Sequence, residues 1–541
     1  MIKGFCASSG IKTIFTAEPP GAAPEGDHRG GMVDMRRIIF CCSALAITFL
    51  LFKTLPAFAS DNKTAKTAEP KEIFSTTQHT IKVGKKKLHY TATAGQLILK
   101  DNDDKQKAQI FFIAYEKKNK NTAERPVTFA FNGGPGSSSV WLHFGAIGPK
   151  RVRLKEDGSA PPPPAALIDN DFTWLAFTDI VFIDPVGTGY SRALDEKKEK
   201  QFFDFKKDIE SVGDFIRLYL TRYNRWLSAK FIVGESYGTT RAVGLTEYLH
   251  KTHGIDLNGI LLVSPVLDFN TILFNSSNNL SCVLSFPTYT AAAWYHKKLR
   301  SKHMELKDTL SEVEDWIVND YVVTLTKGNR LTPAQKEATA SEMANHTGFS
   351  QDYILKNNLK IPVGRFRKEL FRNKQRVIGR MDARFTGPDT DAAGEASTYD
   401  PSLEMLVGTF SSAVNHYVRN DLKFESDSPY RYLNYSVSRA WDWSSGINRG
   451  QGYLNVSQAL TDAIHINNHL RVFIASGYYD LATPYFAAKY TIDHLGLRED
   501  LRDNIKIRFY NAGHMMYIDL PSLKKLTADV SLFYKDVLAH K

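Results

Sequence analysis

The chain has 541 residues, 43% hydrophobic and 23% charged, with a formal net charge of +11 at pH 7. That length buries a large core, and the ordinary apolar fraction excludes a disordered, collagen-like or disulfide-scaffold protein. The positive charge permits attraction to anionic surfaces, but the lysines fall in short runs such as 85–87 and 197–198 with no nucleic-acid motif around them, so no nucleic-acid partner is expected.

At the N-terminus, residues 1–34 fit no targeting pattern and stand as an extended or non-native start. Met35-Arg36-Arg37, the apolar run 38–52 and the small-x-small end at Ala57 and Ala59 make 35–59 a secretory signal peptide, cleaved after Ala59. The run is shorter than the roughly 20 residues a spanning helix needs, so no stable membrane anchor is expected after cleavage. Export to the periplasm or the outside medium follows. Cys6, Cys41 and Cys42 leave with the signal, and Cys282 remains as the one cysteine of the mature chain. No intramolecular disulfide can form; that and the short signal fit a bacterial source. Paired Cys/His spacing for zinc is missing, and neither metal nor cofactor is expected. Oligomeric state is not legible.

Residues 60–78 read as a polar lead-in, with the fold starting near His79. Residues 80–83, 87–91 and 108–113 carry strand composition between turn signals and predict an antiparallel meander at a sheet edge. Buried strands are expected at 127–131 and 259–263, further strands at 179–184, 231–233, 471–475 and 505–510, and helices at 207–220, 239–250 and 521–539. Strands alternating with helices predict an α/β fold: a mostly parallel central sheet flanked by helices. Residues 286–401 change character, with charged helical segments and no convincing strand, and read as a largely helical cap inserted into a core made of 79–285 and 402–541. Asp389 and Asp391 could hold calcium, but lack the spacing of an EF-hand loop; a plain connector is the better reading.

Phe231 to Gly238 is a β-branched apolar run ending in Gly234-Glu235-Ser236-Tyr237-Gly238, the G-x-S-x-G of a nucleophile elbow. Its glycines leave room for a sharp strand-to-helix turn that lifts one hydroxyl above the sheet. Asp480 and His514 follow two later strands. All three lie beyond carboxyl ends of strands, where open α/β sheets place their sites, and the order Ser, acid, His is that of α/β-hydrolases. Ser236 would attack an acyl carbonyl, His514 would carry its proton, and Asp480 would fix the imidazole tautomer. The loop Asn132-Gly133-Gly134-Pro135-Gly136 brings backbone amides close to a ligand, so the oxyanion hole is assigned to the N–H groups of Gly134 and Tyr237. A phosphate loop would need a following Gly-Lys-Ser/Thr, which is missing. The Gly187-Thr188-Gly189 segment shapes a turn.

These residues resemble the serine carboxypeptidase family from about residue 80 to the C-terminus, on Asn132 to Gly136 with Ser138 and Ser139, Asp184-Pro185-x-Gly187-Thr188-Gly189-Tyr190-Ser191, Gly234-Glu235-Ser236-Tyr237, Asp480 and Gly513-His514-Met515. The resemblance implies an α/β-hydrolase fold that trims C-terminal residues from peptide substrates through an acyl-enzyme, without metal. An esterase or acyltransferase on the same scaffold is the alternative.

In the family the substrate's terminal carboxylate is held by the loop Asn, a Trp two residues before it and a pair of glutamates sharing a proton. Here Asn132 and Glu235 match, while Ala130 replaces the Trp, Ala146 the first glutamate, and Ser137 the cysteine after Gly-Gly-Pro-Gly. Two adjacent carboxyls raise one another's pKa, so losing one predicts a weaker acid dependence of binding. Trp141 and His143 are expected to be core residues.

Overall fold

The computed structural model describes residues 70–101, 103–118, 124–299, 305–444 and 452–539. The expectations for 1–34 and for the signal at 35–59 lie outside them. Among the described residues no helix is long and apolar enough to cross a membrane.

Ten strands form one mixed sheet: β1 (Phe74–Val83), β2 (Lys86–Lys100), β3 (Gln106–Lys117), β4 (Val127–Phe131), β5 (Asp179–Ile183), β6 (Arg192–Ala193), β7 (Lys230–Glu235), β8 (Gly259–Val263), β9 (Arg471–Gly477) and β10 (Ile505–Tyr510). Their spatial order is β1-β2-β3-β5-β4-β7-β8-β9-β10, with the short β6 beside β3. The first three strands are antiparallel, as is the β3–β5 junction; from β5 to β10 every neighbour is parallel. The edge meander and the parallel α/β centre are both as expected.

Side-chain alternation splits the core across the sheet. Phe231 and Val233 join Ala130, Phe182, Leu261 and Phe473 on one face, covered by the helix Leu520–Ala539 through Leu526, Val530 and Phe533. Ile232, one residue out of step, joins Phe129, Val181, Ile260 and Val472 on the other, covered by the helices Phe205–Arg222 and Tyr237–His253. Strands buried on both faces read as continuous apolar runs, which is why the central parallel strands were visible in the sequence; β10, at the sheet edge, is only partly buried and alternates apolar with charged residues.

Two boundaries move. The lead-in ends earlier than residue 78, because β1 already begins at Phe74, pairing with Gly95 on β2. β1 is an edge strand whose stretch Ser75–Thr80 is polar with alternate side chains exposed, so only its end, 80–83, was readable as strand. The cap begins before 286: the helix Asn279–Tyr295 runs through Pro287, and from Cys282 onward its buried apolar residues join one cluster with Leu310, Val313, Met343 and Phe366 of the cap and with Tyr479, Leu481 and Tyr485 beside Asp480. That cap is helical apart from the short antiparallel pair Arg376–Ile378 and Thr386–Pro388.

Candidate active site

β7 ends at Glu235 and the helix Tyr237–His253 starts two residues later, so the whole reversal falls on Ser236. Its φ of 59° and ψ of −130° put a residue with a Cβ in a region that costs roughly 1–3 kcal/mol. The turn is closed by missing side chains: a Cβ on Gly234 would sit 2.1 Å from the Gly238 carbonyl oxygen. Ser236 is partly exposed, unlike the strand beneath it.

The Gly-rich loop lies directly on this elbow. A Cβ on Gly133 would meet the amide nitrogens of Gly238 and Tyr237 at 2.5 and 2.6 Å. Gly134, at φ +103°, turns the chain into Pro135. The amides of Gly134 and Tyr237 have no protein acceptor among the described residues, which leaves both free for a ligand oxygen. The Asp184 loop supports the arrangement from behind, where Asp184 Oδ1 accepts from the Ser139 amide at 2.8 Å and Gly189, at φ +46°, passes over the Asp184 carboxyl. That Gly-x-Gly makes a turn, as expected.

Asp480 and His514 stand beyond β9 and β10, and β8 separates β9 from the nucleophile strand. His514 Nδ1 lies 2.7 Å from Asp480 Oδ2. Asp480 is fully buried and its carboxylate is saturated: Oδ1 accepts from the amides of Ala482 (2.8 Å) and Thr483 (2.9 Å), and Oδ2 from the Thr483 hydroxyl (2.7 Å). Burial by itself would lower the imidazole pKa of His514, but the charge and hydrogen bond of Asp480, with Glu235 adding to them, raise it above the ordinary value. Ser264, just past β8, ties the parts together by donating to the His514 carbonyl oxygen at 2.6 Å and accepting from the Thr483 hydroxyl on its own carbonyl at 3.0 Å.

Asn132 and Glu235 meet, Asn132 Nδ2 donating to Glu235 Oε2 at 2.7 Å. Asn132 is oriented by the Leu142 amide on its Oδ1 at 3.1 Å. The same Oε2 accepts a second donor, the hydroxyl of Tyr517, at 2.7 Å. Sequence reasoning missed Tyr517. Its ring rests against Gly145, beside Ala146, and its hydroxyl reaches the carboxyl that lacks a glutamate partner. Burial raises the Glu235 pKa to about 7, against the pull of His514 and of the hydrogen bonds from Tyr517 and Asn132. A second carboxyl is therefore not needed to keep this one protonated near neutral pH.

The remaining candidates are structural. Ala130 is fully buried on β4 and Ala146 is fully buried with its carbonyl accepting from Asn170 Nδ2 at 2.7 Å. His143 is bonded to the Tyr115 hydroxyl at 2.7 Å and stacked between Phe144 and Phe182; burial lowers its pKa to about 3. Trp141 packs on Phe410 and donates to Ser137 Oγ at 3.0 Å. Burial raises the Cys282 thiol to about 11. No calcium is needed at Asp389 and Asp391, because the buried Lys368 ammonium lies 3.2 Å from Asp389 Oδ2 and donates to the Asp391 carbonyl.

One further feature reaches the triad from the end of the cap. The Met381 carbonyl accepts from the His514 amide at 2.6 Å, Asp382 Oδ2 accepts from the Gly513 amide at 3.0 Å, and the Arg380 carbonyl accepts from the Leu481 amide at 3.1 Å. Arg384 pins Asp382 at 2.7 Å and donates to the Asn511 carbonyl at 2.8 Å. Residues 380–384 thus grip the loops of both the acid and the base.

A parallel sheet with a strained serine elbow and a buried Asp–His couple in this order defines an α/β-hydrolase. More narrowly, the chain belongs to the serine carboxypeptidase family, whose model matches residues 85–521. Among curated relatives it is 28% identical over 165 residues to Serine carboxypeptidase-like 9 of Arabidopsis thaliana, covering 29% of this chain and 36% of that one. It is 27% identical over 187 residues to the pheromone-processing carboxypeptidase KEX1 of Yarrowia lipolytica, covering 33% and 27%. The chain thus spans half or less of the length of the first curated relatives it matches. The crystal structure of KEX1(delta)p, a prohormone-processing carboxypeptidase from Saccharomyces cerevisiae, shares the fold with a TM-score of 0.53 at 18% identity, over 82% of this chain and 91% of that one.

Proposed function

We propose that this chain is an exported serine carboxypeptidase that releases C-terminal residues from peptides through an acyl-enzyme on Ser236. One observation carries the reading: the carboxyl cluster of Asn132, Glu235 and Tyr517 is built on the residue immediately before the nucleophile. A peptide whose terminal carboxylate meets Glu235 therefore presents its last peptide bond to Ser236.

Glu235 must be neutral to receive an anion. Its Oε2 already accepts two donors, so the proton of the neutral acid rides on Oε1, which can donate it to the substrate carboxylate beside the second N–H of Asn132. With His514 Nδ1 committed to Asp480, Nε2 takes the Ser236 proton as Oγ attacks the carbonyl carbon. The amides of Gly134 and Tyr237 receive the developing oxyanion. Collapse expels the C-terminal amino acid, protonated by His514, and a water activated by the same nitrogen hydrolyses the Ser236 ester. Export rests on the signal pattern at 35–59.

The test uses the purified chain and two peptides identical except for a free or amidated C-terminus, followed by mass spectrometry, with Ser236→Ala as control. Stepwise trimming of the free acid alone, with the variant inert, is the expected result. If neither peptide is cut while Ser236 still reacts with a fluorophosphonate, the carboxypeptidase reading fails and esters become the substrates to try.

A further inference from the structure

Far from the elbow in sequence, the helices Leu306–Trp316 and Pro333–Thr347 of the cap bring Glu312, Glu342 and His346 together, with one ligand atom of each lying within 4.8 Å of the others. Glu342 and His346 are four residues apart on one helix, so they share a face. His346 is only 6% exposed, with its ring beside Trp316 and Phe286. Its Nε2 is aimed into the cluster and is a buried nitrogen without a hydrogen-bond partner. Glu342 Oε1 does come within 3.1 Å of it, a distance that counts as an ion pair, but the approach falls outside hydrogen-bond alignment. A buried ring nitrogen left so has lost its water without gaining a partner in exchange.

We propose that Glu312, Glu342 and His346 form a site for one divalent transition-metal ion of the zinc type, which staples two helices of the cap. A close but misaligned N···O pair is what two ligands of one small ion show. Ligand bonds of about 2.0–2.2 Å meeting near tetrahedral or square angles hold the two atoms about 3.0–3.5 Å apart, with the ion, not the oxygen, on the ring's lone-pair axis. The charges balance, since two carboxylates and a neutral imidazole match a doubly positive ion. Among the described residues no lysine or arginine neutralises either carboxylate. Asn345 Nδ2 donates to the outer oxygen of Glu342 at 3.2 Å, the kind of outer contact that orients a metal-bound carboxylate. Glu312 is exposed, which gives the ion an entry path and leaves its remaining positions to solvent. One imidazole with two carboxylates favours zinc or its neighbours over calcium or magnesium, whose sites are all oxygen. The cap has no covalent cross-link of its own, because its cysteine, Cys282, is free and buried.

The test takes the untagged full chain, stripped with a chelator and dialysed, and titrates it with zinc chloride by calorimetry, with cobalt(II) as the spectroscopic probe. Expected are one equivalent bound, a visible cobalt band displaced by zinc, and a melting temperature that rises with zinc. Glu312→Gln and His346→Gln should each weaken binding about tenfold or more. Glu312→Gln alters an exposed side chain and keeps the test valid if the buried histidine variant fails to fold. Absence of stoichiometric binding, or binding equally tight in Glu312→Gln and wild type, overturns the proposal.

Discussion

The sheet and the cap solve the same problem in different ways. In the sheet, every functional group sits where a strand ends, and neighbouring parallel strands hold those ends in register: Val263 opposite Glu235 on one side and Ala475 on the other. The cap has almost no strand; its apolar cluster takes in Tyr479, Leu481 and Tyr485 around Asp480, and its residues 380–384 hydrogen-bond the loops of the acid and the base. The site thus has one support in the backbone ladders of the sheet and a second, for two of its groups, in side-chain packing and loop hydrogen bonds of the cap. Geometry set by backbone ladders resists change; geometry set by a few loop hydrogen bonds does not.

The largest effect should come from the sheet side. Ser236→Ala should lower kcat by about 10⁴–10⁶ while the protein stays folded, measured by peptide turnover and circular dichroism. Next, Asp382→Ala removes the acceptor of the Gly513 amide and the partner of Arg384. It touches no reacting atom, yet it should cost about 10–100-fold in kcat with KM little changed, because small misplacements of a general base are expensive. Retention of full kcat would mean that the cap only covers the site.

Glu235 sharpens the comparison through pH. Its folded pKa, about 7, lies above the ordinary carboxyl value of 4.5, so its contribution to stability is fully present below that value and is lost as pH rises through 7. The loss is about 3 kcal/mol by linkage. Glu235→Gln has no proton to lose, and its melting temperature should fall less than wild type between pH 5 and 8. In wild type, kcat/KM on free-acid peptides should decline above about pH 7, mainly through KM. Tyr517→Phe removes a hydrogen bond that favours the ionised carboxyl, so that decline should move to higher pH. The smallest effect belongs to the cap surface: Lys336→Ala, an exposed helix position, should change stability by no more than about 0.5 kcal/mol.

The central parallel strands and the elbow were legible because burial on both faces writes itself as unbroken apolar runs, and because a 2.1 Å approach leaves no choice but glycine at 234. Asp480 and His514 were legible from their order along the chain. Tyr517 was not, since it follows no motif and its role comes from a ring that fits against Gly145. The first part of edge strand β1 was hidden by its polarity, and the start of the cap by a proline that the helix Asn279–Tyr295 absorbs. Lys368 was hidden for a third reason: only folding brings its ammonium to Asp389 and Asp391. For Tyr517 and Lys368 the missing information is a contact between distant residues, which no local pattern records.

The pairing of β8 with β9 joins Ile260 to Val472 across the whole insertion. Synthesis proceeds from the N-terminus, so a nascent chain can complete its serine elbow long before the strands that carry Asp480 and His514 emerge. Until then the serine has neither a base nor an acid behind it. A hydrolase assembled in this order is silent during its own biogenesis, and a chain broken off before residue 471 would fold, if at all, as a harmless fragment.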